Sequence, residues 1–208
     1  WLYSAFYGVF CLSLPFLLIP YALRLLSTSE VAIFLSSIPL FVLVLARIFL
    51  KETISIKKWM GFVLGMLGLV LLSTSSNSIS NNNYQILPYF LCIFASILLA
   101  GGGIVIQIMP KTSPISLTAA AFLIGGICVF PSLVLTYPDK ISSMKSLYGL
   151  LAVGFFSTFI GSLTRFILIR RAGAVFTSIN GYLAPIITCT LGIIVLNENL
   201  TFHILISF

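Results

Sequence analysis

Acidic residues are nearly missing from this chain: four in 208 positions (Glu30, Glu52, Asp139 and Glu198), each at the end of an apolar run or between runs. No carboxylate stands mid-run, so the visible spans hold no proton relay of the usual Asp/Glu kind. Histidine is scarcer still, a single His203 to which no role is assigned. The four cysteines (Cys11, Cys92, Cys128 and Cys189) lie inside apolar runs without Cys-x-x-Cys spacing. That excludes a disulfide framework and a metal site. Long loops are lacking too, which leaves no room for a soluble catalytic domain. A membrane-embedded enzyme would need converging nucleophiles, metal ligands or acid–base pairs. The expectation is therefore no enzyme, no catalytic residues, no metal and no cofactor.

What fills the chain instead is hydrocarbon. Hydrophobic residues make up 60% and charged residues 7%, with a mean hydropathy of +1.18, whereas soluble domains are roughly a quarter charged. The net charge of +7 would suggest nucleic acid in a soluble protein. Here the basic residues flank apolar runs and read as membrane-edge charges, so no nucleic-acid partner is expected. The expected partners are the lipid bilayer and a small-molecule substrate, and a homodimer is left open. The runs are A (1–23), B (31–50), C (57–76), D (86–109), E (115–137), F (147–169) and G (172–196), with H starting near 200. Runs A to G have the roughly 20 residues that a helix needs to cross a ~30 Å hydrocarbon core.

One stretch occurs twice. Ile38-Pro39-Leu40 leads to Leu50-Lys51-Glu52, and Ala184-Pro185-Ile186 leads to Leu196-Asn197-Glu198. Pro39 and Pro185, Leu50 and Leu196, Glu52 and Glu198, and Arg24 and Arg170 are each separated by 146 positions. This is the mark of an internal duplication. Five spans separate B from its copy G, so the copies cross the membrane in opposite directions, the inverted repeat of many secondary transporters. Run A then matches F, and C matches the shortened H. The expected fold class is an all-α polytopic membrane protein, an inverted-repeat bundle of five plus five helices with about eight present. In domain terms, 1–76 would hold three helices of the first repeat, 77–85 an outward polar linker, and 86–208 the second repeat.

Charge placement gives the orientation. With the B–C loop inside, eight Lys/Arg (Arg47, Lys51, Lys57, Lys58, Lys111, Arg165, Arg170 and Arg171) face the cytoplasm against three outside (Arg24, Lys140 and Lys145). This obeys the positive-inside rule, and the flipped orientation violates it.

Residues 29–72, with Ser-Glu-Val-Ala-Ile-Phe-Leu-Ser-Ser-Ile-Pro-Leu, Phe-Leu-Lys-Glu-Thr-Ile-Ser and Lys-Trp-Met-Gly, resemble the EamA type of the drug/metabolite transporter superfamily. Residues 170–201, with Arg-Arg-Ala-Gly-Ala, Leu-Ala-Pro and Leu-Asn-Glu-Asn-Leu-Thr, resemble that family's second repeat. The resemblance implies a ten-helix carrier in a bacterial inner membrane, with a central cavity between its halves. It implies transport of amino acids, nucleotide-like metabolites, sugars or drugs, a class and not a substrate. A non-transporting structural or receptor-like membrane protein is the alternative.

Polar groups within the spans are the candidates for a substrate site. They include Tyr3 and Tyr7 in A, Ser36 and Ser37 in B, Gln107 in D, Ser162, Thr164 and Arg165 in F, and Asn180 and Tyr182 in G. Ser36, Ser37, Gln107, Arg165, Asn180 and Tyr182 are the favoured cavity set, because an unpaired amide or charge in hydrocarbon must face a partner or a wet cavity. Arg165 either snorkels to the cytoplasmic interface or binds an anion. Pro39 and Pro185 bend their helices around a site or simply kink them. Glu52 and Glu198 read as helix caps or, at Glu52, as an ion-pair partner of Lys51 or Lys57. The Gly101-Gly102-Gly103 run is a hinge, a close backbone approach to substrate, or tight packing.

Overall fold

In hydrocarbon every backbone N–H and C=O must be satisfied within its own segment, so apolar runs of this length become helices. The computed structural model describes residues 2–26, 31, 34–74, 86–110, 113–135, 144–181 and 183. Among these residues the secondary structure is helical, without strands. We label the helices α1 (Leu2–Ala22), α2 (Ile38–Phe49), α3 (Ile56–Thr74), α4 (Ile86–Ile108), α5 (Pro114–Leu135), α6 (residues 144–172) and α7 (Ala174–Ser178). Runs A, C, D, E and F appear as helices over their described residues, run B is broken, G is described up to 183, and H lies outside the described residues. Four described helices are long and apolar enough to cross a membrane by length and composition. The chain is an all-helical membrane bundle of the inverted-repeat transporter type.

Two expectations about continuity need correction. Run B is not one helix: a turn at Ser36 and Ser37 precedes α2, whose 12 residues span only about 18 Å at 1.5 Å per residue. Run G is interrupted as well, with α7 ending in a turn at Ile179. Proline at the second position of α2 cannot donate to the preceding turn, and this sets the break. Gly173, with φ of 90°, separates α6 from α7, a backbone conformation that suits glycine alone.

Helix α4 is the hub, touching α1, α2, α6 and α7. Its buried face is built from small residues, among them Ala95, Ser96, Ala100, Gly102 and Gly103, which let neighbouring backbones come close. Its other face carries Ile86, Leu87, Phe90 and Phe94, exposed to where lipid would lie. The glycine triplet divides its duties. A Cβ on Gly102 would stand 3.0 Å from Cys11 Cβ, one on Gly103 would stand 3.3 Å from Ala174 Cβ, and one on Gly101 would meet nothing within 4 Å. At Gly102 and Gly103, of the three readings, tight packing against protein is the one seen. The α1–α5 crossing is closer still. A Cβ on Gly8 would lie 2.7 Å from the Ala121 carbonyl oxygen, and Ser13 Oγ lies 2.7 Å from the Gly8 oxygen and 3.1 Å from the Gly125 oxygen.

Helices α1 and α6 each contain a π-helical stretch, Tyr7–Ser13 and Val153–Ile160. Their first residues are 146 positions apart, the offset that separates Pro39 from Pro185. In each, a hydroxyl bonds the carbonyl five residues back: Ser13 to Gly8 at 2.7 Å and Thr158 to Val153 at 3.4 Å. Pro15, just after the first stretch, withholds a donor from the turn before it, a reason for local widening. The second stretch has no such proline, so the shared position outlasts the local cause in α1.

Candidate functional site

The break before α2 exposes carbonyls that the membrane cannot solvate, and hydroxyls satisfy one of them. The Phe34 carbonyl accepts from Ser37 N at 3.1 Å, from Ser37 Oγ, and from Ser96 Oγ at 3.0 Å. Ser36 and Ser37 are both buried, each 6% exposed. Neither serine is among the described residues that line the cavity; Leu35 before the turn and Ile38 and Val42 of α2 are.

The cavity lies between α2, α4, α6 and α7, and measures about 760 Å³. Helix α6 contributes Phe156, Ile160, Thr164, Arg165 and Leu168, and the G segment contributes Phe176, Ile179 and Asn180. Arg165 and Asn180, two of the favoured polar residues, are among the residues lining it. Runs B and G meet here: a Cβ on Gly181 would lie 3.2 Å from Pro39 Cγ. Tyr182, Pro185 and Glu198 lie outside the described residues.

Thr177 Oγ1 donates to the Gly173 carbonyl at 2.8 Å and Ser178 Oγ to the Val175 carbonyl at 2.8 Å. That leaves Thr164, Arg165 and Asn180 as the lining side chains with polar hydrogens to offer a ligand, while the Thr177 and Ser178 hydroxyls can still accept. Arg165 does not snorkel away; its Nη2 donates to the Leu99 carbonyl, across the cavity on α4, at 3.2 Å.

Gln107 is not among the described residues that line this cavity. One helical turn beyond Gly103, it passes the cavity floor and reaches the start of α7. Its Oε1 accepts from Ala174 N at 2.8 Å, and its Nε2 donates to Glu52 Oε1 at 3.2 Å. An N–H can only donate and a carboxylate only accept, so the amide's orientation is fixed from both sides. Among the described residues Glu52 is held by Gln107 rather than by Lys51 or Lys57. Lys51, with φ of 54°, turns the chain so that Glu52 N comes within 3.5 Å of the Ala46 carbonyl. Beside this node Arg170 Nη2 donates to the Pro110 carbonyl at 2.7 Å, with its guanidinium 5.4 Å from the Phe166 ring centre. Sequence reasoning did not find this node or Gly181. The Ala-Gly-Ala after Arg171 was the available signal for the first, as a turn needing positive φ.

The sequence profile of the EamA-like transporter family matches residues 1–74 and 86–208. The chain belongs to this family. An uncharacterized transporter of Archaeoglobus fulgidus is 31% identical over 180 residues, covering 85% of this chain and 62% of the relative. The uncharacterized inner membrane transporter YedA of Escherichia coli K12 is 27% identical over 167 residues, covering 77% of this chain and 52% of YedA. The chain thus spans about half to three-fifths of the length of these relatives. A solved crystal structure shares the fold, with a TM-score of 0.84 at 14% identity over 98% of this chain and 71% of that one. As an EamA-like chain with several apolar spans, it is an integral membrane protein.

Proposed function

We propose that this EamA-like chain carries the substrate cavity of a secondary carrier that moves small polar metabolites or drugs across the membrane by alternating access. The observation that carries this reading is the cavity of about 760 Å³ where Pro39 of run B meets Gly181 of run G, its copy. Its size falls in the range of small-molecule sites, roughly 300–1,000 Å³, and its lining has the usual form of apolar walls with a few polar groups. The broken helices on either side supply the hinges that a bundle needs to open one face and close the other. Asn180 carries an amide in that wall without being needed for packing, since it is exposed to the cavity.

The test is uptake into liposomes by the full-length chain, normalised to folded protein. Asn180→Leu removes the amide at similar volume, so folding should survive while transport falls at least tenfold. Absence of solute flux from the wild type, or unchanged flux in the Asn180 variant with folding intact, would return the chain to a structural or receptor-like role.

A further inference from the structure

Arg165 is oddly placed for a membrane-edge charge. It stands seven residues from the end of α6 at Ala172, about 10 Å into the span by helical rise. A guanidinium offers five N–H donors and cannot lose its proton. Among the described residues Arg165 makes one hydrogen bond, to the Leu99 carbonyl at 3.2 Å, and no ion pair. The one buried side-chain nitrogen or oxygen without a partner among these residues is Arg170 Nε, so the remaining nitrogens of Arg165 are not sealed in protein. They open on the cavity that Arg165 lines.

The rest of the lining defines what would satisfy them. No acid is among the described lining residues, whereas Leu35, Ile38, Phe156, Ile160 and Leu168 give it broad apolar walls. A cationic solute would meet like charge, and the ammonium of a zwitterion would find no carboxylate. A neutral polar solute would leave the guanidinium without a counter-charge in a low-dielectric space, which is costly. An anion with an apolar body answers both features, because a carboxylate or phosphate matches the guanidinium fork with paired hydrogen bonds.

We propose that Arg165 is the anion-recognition residue of the cavity, and that the chain selects small organic anions with an apolar body over cations and zwitterions. This rests on the carrier reading above and narrows its substrate class. Asn180 and Thr164, on the same lining, are placed to bond the polar remainder of such a solute.

The experiment uses the full-length chain in phosphatidylcholine liposomes and in detergent. The probes are acetate, hexanoate and 3-phenylpropionate, each beside its amide and its amine. Thermal stabilisation in detergent reads binding, and counterflow in liposomes reads transport. The longer carboxylates should stabilise the protein, with the matching amides and amines at least tenfold weaker. Arg165→Gln should abolish that preference. Arg165→Lys, which keeps the charge and loses the fork, should keep the preference for anions at reduced affinity. The Lys variant also keeps the test decisive where the Gln variant does not fold.

Failure of every carboxylate to outrank its amide overturns the anion proposal, and counterflow of the amides would then leave the carrier reading standing. Anion binding without counterflow of any probe has the reverse meaning: the site stands and the carrier reading falls. A parallel series with added phosphatidylglycerol separates the two sources of an anionic group. Displacement of 3-phenylpropionate by that lipid in the wild type, and not in Arg165→Gln, would make Arg165 a lipid-headgroup anchor and overturn the solute proposal.

Discussion

At Gly8 and Gly101 the same residue type does opposite work. The Cβ of an alanine at Gly8 would sit 2.7 Å from the Ala121 carbonyl oxygen, a backbone atom that cannot swing aside, whereas at Gly101 it would meet nothing within 4 Å. Gly8→Ala should therefore push α1 off α5 and lower the melting temperature in detergent, by the 1–3 kcal/mol typical of overpacking, roughly. Gly101→Ala should be neutral or stabilising by up to about 1 kcal/mol, the helix-propensity gain. Equal behaviour of the two variants in a thermal-shift measurement would contradict the α1–α5 crossing. Nothing in the sequence separates these glycines, because both lie in apolar runs with small neighbours. Arg165 and Asn180 stand out in the sequence because a charge or an amide inside hydrocarbon must answer to something, and both line the cavity. For Ser37 the sequence does not tell a cavity hydroxyl from one spent on the backbone, as it is on Phe34.

Between elements, the informative contact is the node of Gln107. It ties the α2–α3 connection through Glu52 to the start of α7 through Ala174, with α4 as the post between them. Gln107→Leu removes both bonds at similar volume, leaving the Ala174 N–H and a carboxylate oxygen without their partners. The expected cost is about 1–3 kcal/mol, read as a lower melting temperature, with Gln107→Glu failing to rescue because it sets a second carboxylate against Glu52. Wild-type stability in Gln107→Leu would mean that the node is incidental. The elements themselves were legible from run length and hydropathy. Their interruptions were not, because a broken helix keeps the hydropathy of a whole one; Pro39 marked one break and Gly173 another, without saying which would be realised.

For the molecule as a whole, orientation follows from charge. Arg47, Lys51, Lys57 and Lys58 surround the α2–α3 connection, and the Glu52–Gln107–Ala174 node joins that connection to the two others assigned to the cytoplasmic side. In a cysteine-free background, Lys57→Cys should react with an impermeant maleimide only after the membrane is opened. Arg24→Cys should react in intact cells. Labelling of both from one side would refute the inverted arrangement. The duplication was visible in a handful of residues held in register. Its deeper sign, the pair of π stretches offset by the same 146 positions, lies in backbone geometry that residue identities do not spell.

Arg165 has one more consequence, electrical rather than chemical. On the anion reading, the empty cavity wall carries one positive charge and the loaded wall carries none. Passing the loaded site from one face to the other is then indifferent to membrane voltage. Passing the empty site is not, since one elementary charge across 100 mV is worth about 2.3 kcal/mol, roughly a fifty-fold bias. In a cell that is negative inside, the empty site comes to rest facing the cytoplasm and loads there. A single arginine would thus rectify the carrier, making it run outward on the membrane potential alone.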